Sequence, residues 1–148
     1  MCRVLHKNAA LMKARSIGFS EINASLAARL YTTIKRSRTV ITCFNDTYLN
    51  GTFSKLDHAL TFINTNADGF FKPRLTDKAL EKKSGYQIKI DGQFTDFGWL
   101  SVVKGINGSK PSNIRGDRVD LLIYDEIGSW PDSTTAIVQG RALCEVQG

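Results

Sequence analysis

The stretch RVDLLIYDE, Arg118 to Glu126, decides how the rest of the chain is read. Its run from Val119 to Tyr124 has one polar residue, Asp120, and ends in two adjacent carboxylates, Asp125 and Glu126. A short, nearly continuous apolar run is the pattern of a strand buried on both faces, as in parallel sheets. Such a strand carries its last side chains to the sheet edge where open α/β folds bind ligands. An aspartate there can hold Mg²⁺, usually through water. A glutamate beside it can orient a water and take its proton. The alternative is a strand followed by a solvated acidic turn.

Upstream, KARSIGFSE, Lys13 to Glu21, has the outline of a loop that grips phosphate. The standard form is G-x-x-x-x-G-K-[ST], in which backbone N–H groups wrap the phosphates at a helix N-terminus. Here Gly18 is the second glycine and Ser20 the metal-binding hydroxyl. Phe19 occupies the lysine position and Lys13 the first-glycine position. Lys13 or Arg15 could bring the missing charge from the front of the loop, because an ammonium on a flexible stem can arrive from another anchor point. One glycine and one serine before a helix also arise by chance. The weight lies in the pairing of this loop with the acidic strand, in the expected order.

The intervening chain has an α/β rhythm. SEINASLAARLYTTIKRSR places Ile22, Leu26, Ala27, Leu30, Tyr31 and Ile34 at helical spacing. TVITCF, Thr39 to Phe44, reads as a second strand buried on both faces. DTYLNGTFSKLDHALTFINTN suggests a helix with a possible break near Asn50-Gly51, and the segment around Pro73 a basic connector with a short helix. YQIKIDG alternates like a strand, FGWLSVVKG suggests another ending near Gly105, and Asn107-Gly108 marks a turn. The tail, TTAIVQGRALCEV, has a helical composition.

Bulk properties narrow the class. The 148 residues suit one domain with a real core, and 42% hydrophobic with 23% charged content is ordinary for a globular chain. The formal charge of +6 favours a polyanionic partner such as nucleic acid, or simply a basic solvated surface. Cys2, Cys43 and Cys144 are scattered and form no CxxC pair, and only His6 and His58 could join them at a metal. A zinc site is not expected, and a reducing compartment is. No apolar run suits a signal peptide or a membrane span. Arg115-Gly116-Asp117 spells an adhesion tripeptide that has no role without secretion. Lys72, Arg74, Lys78, Lys82 and Lys83 read as a solvated helix face, with DNA phosphate contact as the alternative. Trp99 and Trp130 read as packing residues.

Taken together, Lys13–Glu21 and Arg115-Gly116-x-Arg118-x-Asp120 leading into Leu121–Glu126 resemble the ATPase domain of phage large terminase subunits, which pump DNA into procapsids. Many of these carry a lysine at the front of the phosphate loop and an aromatic at the usual lysine position, as Lys13 and Phe19 stand here. The resemblance spans about Lys13 to Gly148 and is loosest in the middle. It implies a three-layer P-loop NTPase core of the RecA-like, additional-glutamate type, with a mostly parallel sheet flanked by helices. It implies ATP and Mg²⁺ as cofactors. Lys13 would contact the β/γ-phosphates, and the backbone of Ala14, Arg15, Ser16, Ile17, Gly18 and Phe19 would wrap them. Ser20 and Asp125 would serve Mg²⁺, Glu126 would be the catalytic base, and Arg15 would sense the γ-phosphate. Arg115 would act on a neighbouring subunit's ATP, with Arg118 as its rival.

The implied partners are double-stranded DNA, a portal protein, a small terminase subunit and further copies in a ring, in the cytoplasm of a host cell. The resemblance also implies an adenine-contacting segment before the loop, then a coupling motif and a nuclease domain after the acidic strand, and the chain offers little of these. The expectation is a partial ATPase domain over residues 1–148, its phosphate loop at 13–20 and its acidic motif at 121–126, without a nuclease domain. Such a core is expected to bind ATP weakly and to turn over slowly or not at all by itself. Two rival expectations remain: another P-loop ATPase such as a helicase, or a nucleotide- or DNA-binding α/β module without independent activity.

Overall fold

The computed structural model describes residues 18–68, 74–109 and 119–144. In chain order, helix α1 (Phe19–Thr33) precedes strand β1 (Arg38–Cys43) and helix α2 (Asp46–Asn66). Strands β2 (Arg74–Lys78), β3 (Glu81–Ser84), β4 (Tyr86–Ile90), β5 (Gln93–Phe97), β6 (Val102–Asn107) and β7 (Leu121–Asp125) follow. A single 3-10 turn (Ile127–Ser129) then leads into helix α3 (Ser133–Cys144).

The five-stranded sheet has the order β2-β3-β6-β1-β7. Central β1 pairs in parallel with β6 on one side and β7 on the other. β3 is antiparallel to β6, and β2 is antiparallel to β3, so β2 points the same way as β6, β1 and β7. Only β3 runs in reverse. Every residue of β1 after Arg38 is buried, as expected of a strand covered on both faces. The expected mostly parallel α/β sheet is the one observed.

Side-chain alternation divides the core into two layers. Ile41, Cys43, Val103, Leu121 and Ile123 pack with α1 and α2. Leu122, Tyr124 and Ile106 pack on the other face with Ala136 of α3 and with Trp130, which precedes that helix. Helix α1 buries Ala24, Ala27, Ala28 and Tyr31, whereas Ile22 is 57% exposed. The spacing correctly marks a helix, but its buried stripe is rotated from large aliphatics to alanines, which let the helix lie close to the sheet.

Helix α2 is continuous. Asn45 caps it by accepting from the Tyr48 N–H at 3.0 Å. Gly51 lies in open space on its exposed side, so the expected break at Asn50-Gly51 has no packing cause and does not occur. Leu49, Thr52, Phe53, Leu56 and Leu60 form its buried stripe.

The basic segment after Pro73 is not a helix but the β2–β3 hairpin, which extends the sheet. Its Lys82 is not a solvated charge. It is 5% exposed and holds Asp77 at 2.7 Å and Asp57 of α2 at 3.0 Å. Arg74 adds a bond to Asp77 at 3.1 Å. YQIKIDG does form a strand, but outside the main sheet. β4 and β5 make a separate antiparallel ribbon, turned by Asp91 (φ 50) and Gly92 (φ 83) in a mirror-image type I turn. Ile88, Ile90 and Phe94 remain exposed on it, and Lys83–Asp96 at 2.7 Å fastens it to β3. The FGWLSVVKG segment divides between the end of β5 and β6, which begins only at Val102.

Replacing Lys82 with alanine removes the nearer of two cations that Asp57 and Asp77 share and leaves them Arg74 alone, at 3.9 and 3.1 Å. Breaking a fully buried pair costs about 3–5 kcal/mol. Asp57 and Asp77 are partly hydrated, so we expect about 1–3 kcal/mol lost in urea denaturation at pH 7. The hydrogen bond from Lys82 lowers the Asp77 pKa most; burial opposes it, and the charges of Arg74 and Lys82 add to the lowering. Its folded value therefore lies below its unfolded one, and its contribution is present above the ordinary carboxylate range and lost as pH falls through the lowered value. The penalty of Lys82→Ala should accordingly shrink in strong acid.

Candidate functional site

Parallel register brings the last residues of three strands into one row. Cys43 of β1 is level with Asn107 of β6 and with Asp125 of β7. Alternation turns all three side chains toward the face covered by α2. Two hydrogen bonds tie α2 to this row. Asn107 Nδ2 donates to Asp46 Oδ1 at 2.8 Å, and Thr52 Oγ1 donates to Asp125 Oδ2 at 2.9 Å. Helix α1 reaches the same edge by topology. It packs on β1 and β7, and its C-terminus joins the start of β1 through Ile34–Ser37, so its first turn lies toward the strands' C-terminal ends. Glu21 of that turn approaches Lys55 of α2 at 3.9 Å.

Asp125 is 2% exposed. Thr52 occupies one carboxylate oxygen, while Oδ1 is buried and has no hydrogen-bond partner among the described residues. A buried, unsatisfied carboxylate oxygen is costly in a finished core. It is the acceptor that a hydrated cation needs, and Mg²⁺ is commonly held by one or two carboxylates with its waters retained. Asp125 therefore fits the metal role expected of it. The backbone carbonyl of the same residue accepts from Trp130 Nε1 at 3.3 Å. The Trp130 ring fills the space beside Gly108, where a Cβ would collide with it, and meets Tyr124 edge-on at 5.6 Å.

Glu126 differs from its neighbour in every respect. It is exposed, and its backbone is left-handed at φ 55. The bend turns the chain out of β7 into the 3-10 turn, where the Ser129 N–H donates to the Glu126 carbonyl at 2.9 Å. Adjacent carboxylates thus part: one is held in the sheet edge, the other is presented to solvent beside it. Cys43 lies between these charges and Thr52. Burial first, then the charge of Asp125, pushes its thiol up to about 12, with Glu126 adding to the effect and Thr52 opposing it. The thiol is neutral at physiological pH and brings no competing anion to the row.

At the start of α1, Gly18 takes φ 73, a left-handed conformation open to glycine at little cost, and its carbonyl accepts from the Glu21 and Ile22 N–H groups. Among the described residues no side chain caps the helix there. Phe19 and Ser20 are half-buried in its first turn. Of the residues expected at the site, Gly18, Phe19 and Ser20 thus open α1, and Asp125 and Glu126 close β7. Lys13, Ala14, Arg15, Ser16, Ile17 and Arg115 lie outside the described residues, as does Arg118. Thr52 and Asn107 belong to the acidic corner but were not evident from motif reading, whereas Trp130, read as a packing residue, packs there. The one signal was Thr52 itself, a polar residue within the apolar stripe of α2.

No family model and no curated protein matches the chain. Its fold matches solved structures of the large terminase ATPase domain from Thermus phage P74-26. A mutant form aligns with a TM-score of 0.66 and 17% identity, over 88% of this chain and 53% of that one. Another structure of that domain aligns with a TM-score of 0.64 and 18% identity, over 84% and 51%. The chain thus spans about half the length of the structures it matches. At this identity the likeness establishes the shared fold.

The left-handed backbone at Glu126 provides a test of the corner. That conformation costs an L-residue about 1–2 kcal/mol, more than the about 0.5–1 kcal/mol of extra chain entropy that glycine loses on folding. Glu126→Gly should therefore be more stable than Glu126→Ala, which loses the same side chain but keeps the strain, by about 0.5–1 kcal/mol in urea denaturation. Equal stability of the two variants would show that the turn carries no such strain.

Proposed function

We propose that this chain is the nucleotide-binding part of an ATP-driven motor that moves double-stranded DNA into a viral procapsid. The observation that carries this reading is the acidic corner: Asp125 buried with one open oxygen at the shared end of parallel strands, and Glu126 exposed beside it. The terminase ATPase fold supports it, and so does the order in which a phosphate-loop-like segment and the acidic strand follow each other.

In this reading the N–H groups from Ala14 to Phe19 wrap the phosphates, and the N-terminal end of α1 favours their negative charge. Lys13 neutralises β/γ charge from the front of the loop, and Arg15 contacts the γ-phosphate. Ser20 and Asp125 hold magnesium, which when bound supplies charge neutralisation on the phosphate oxygens. Glu126 orients a water in line with the γ-phosphorus and accepts its proton. Arg115, or Arg118 in its place, completes a neighbouring subunit's site; an arginine supplied in trans is worth ~10³–10⁵ in rate. The formal charge of +6 suits a DNA track. A ring of copies, a portal and a small terminase subunit in the host cytoplasm complete the proposed setting.

Phosphate release and calorimetric titration with Mg²⁺·ATP test this reading. Glu126→Gln should lower turnover by about 10²–10⁴-fold while largely sparing nucleotide affinity. Turnover at the wild-type rate in that variant would remove Glu126 from the role of base. Binding by the unaltered chain without phosphate release would make it a nucleotide-binding module.

A further inference from the structure

Threonines inside helices usually return their hydroxyl to the carbonyl one turn back. Thr32, Thr33 and Thr65 do so here, donating to Ala28, Arg29 and Thr61 at 2.9, 2.7 and 2.9 Å. Thr52 does not. It is 2% exposed, and its hydroxyl crosses from α2 to the end of β7 to donate to Asp125 Oδ2. A hydroxyl has one proton, and the bond at 2.9 Å directs it to this carboxylate rather than to the neighbouring Cys43 sulfur.

The consequence falls on the other oxygen. The final torsion of an aspartate is broad and roughly two-fold, so an unrestrained carboxylate can exchange its oxygens and tilt its plane. A donor on Oδ2 removes that freedom and leaves Oδ1 as the open acceptor, buried and without a partner among the described residues. The Cys43 thiol beside Thr52 cannot replace the hydroxyl as an equally strong donor, because S–H is a weak one. Trp130 holds the backbone of Asp125 but not its carboxylate. Among the described residues, the orientation of that carboxylate thus rests on one side chain, carried by a helix that belongs to neither the phosphate-loop segment nor the acidic strand.

We infer that Thr52 is a positioning residue that orients Asp125 toward a divalent cation accompanying a nucleoside triphosphate. This rests on the nucleotide-binding reading above. Partners of metal ligands typically contribute 10–100-fold in metal affinity, and the effect should be specific to the metal. Affinity for a non-hydrolysable ATP analogue without metal should not depend on Thr52.

The probe is Mn²⁺, followed by its electron paramagnetic resonance with the chain and that analogue, alongside calorimetry of the analogue in chelator. Thr52→Val keeps the shape and removes the hydroxyl; Thr52→Ser keeps the hydroxyl. We expect Thr52→Val to weaken Mn²⁺ by about 10–100-fold, Thr52→Ser to remain near wild type, and metal-free analogue binding to be the same in all three. Mn²⁺ affinity unchanged in Thr52→Val overturns the inference alone. Equal losses with and without metal, or no recovery in Thr52→Ser, reduce Thr52 to a structural role and also overturn it. Failure of the unaltered chain to bind Mn²⁺ with the analogue overturns the nucleotide reading itself, and the inference with it. Should Thr52→Val not melt cooperatively, Thr52→Ala removes the same hydroxyl at smaller volume and is read in the same way.

Discussion

The pairing of β1 with β6 and β7 is the constraint on which everything else depends. Side chains in a strand alternate with period two, so a slip of one residue in either ladder would turn Asp125 or Asn107 to the opposite face. The slip is resisted by burial. Ile41, Cys43, Val103 and Ile123 face one helical layer, and moving them would expose apolar surface on both sides of the sheet. The energy that fixes the register is thus hydrophobic and spread over the whole core, while what it positions is polar and confined to one edge.

Helix α2 converts that register into a site. It begins immediately after β1, with only Phe44 and the capping Asn45 between them, so its first turns cannot stray from the sheet edge. Phe53 and Leu56 seat it on the core, and Thr52, one residue before Phe53, is thereby placed at Asp125. Packing and polar contact come from consecutive residues on the same turn. A change that loosens the apolar stripe of α2 would be felt at the carboxylate before it appeared as global unfolding.

The buried elements were legible because their patterns are local. TVITC and LLIYD are strands in the structure as their apolar runs imply, the first ending one residue before Phe44, and α1 and α2 show helical spacing. The β2–β3 hairpin was not legible. RLTDK and EKKS are too charged to resemble a sheet, and Lys82 is held at the core by Asp77 of the hairpin and by Asp57, a partner 25 positions away on α2. The alanine face of α1 was hidden for a different reason: periodicity weights the large side chains, while close approach to a sheet selects the small ones. At the acidic pair the residue types were visible but their difference in burial was not. Which carboxylate is buried depends on where β7 stops and on the left-handed turn at Glu126.

Cys43 adds a practical consequence. Its thiol is wholly enclosed beneath the acidic corner and remains protonated far above neutral pH. Alkylating reagents attack thiolates that they can reach, so modification at this position requires the corner to open. The rate of covalent trapping at Cys43 is therefore an internal clock for breathing of the sheet edge, readable by mass spectrometry without any introduced label.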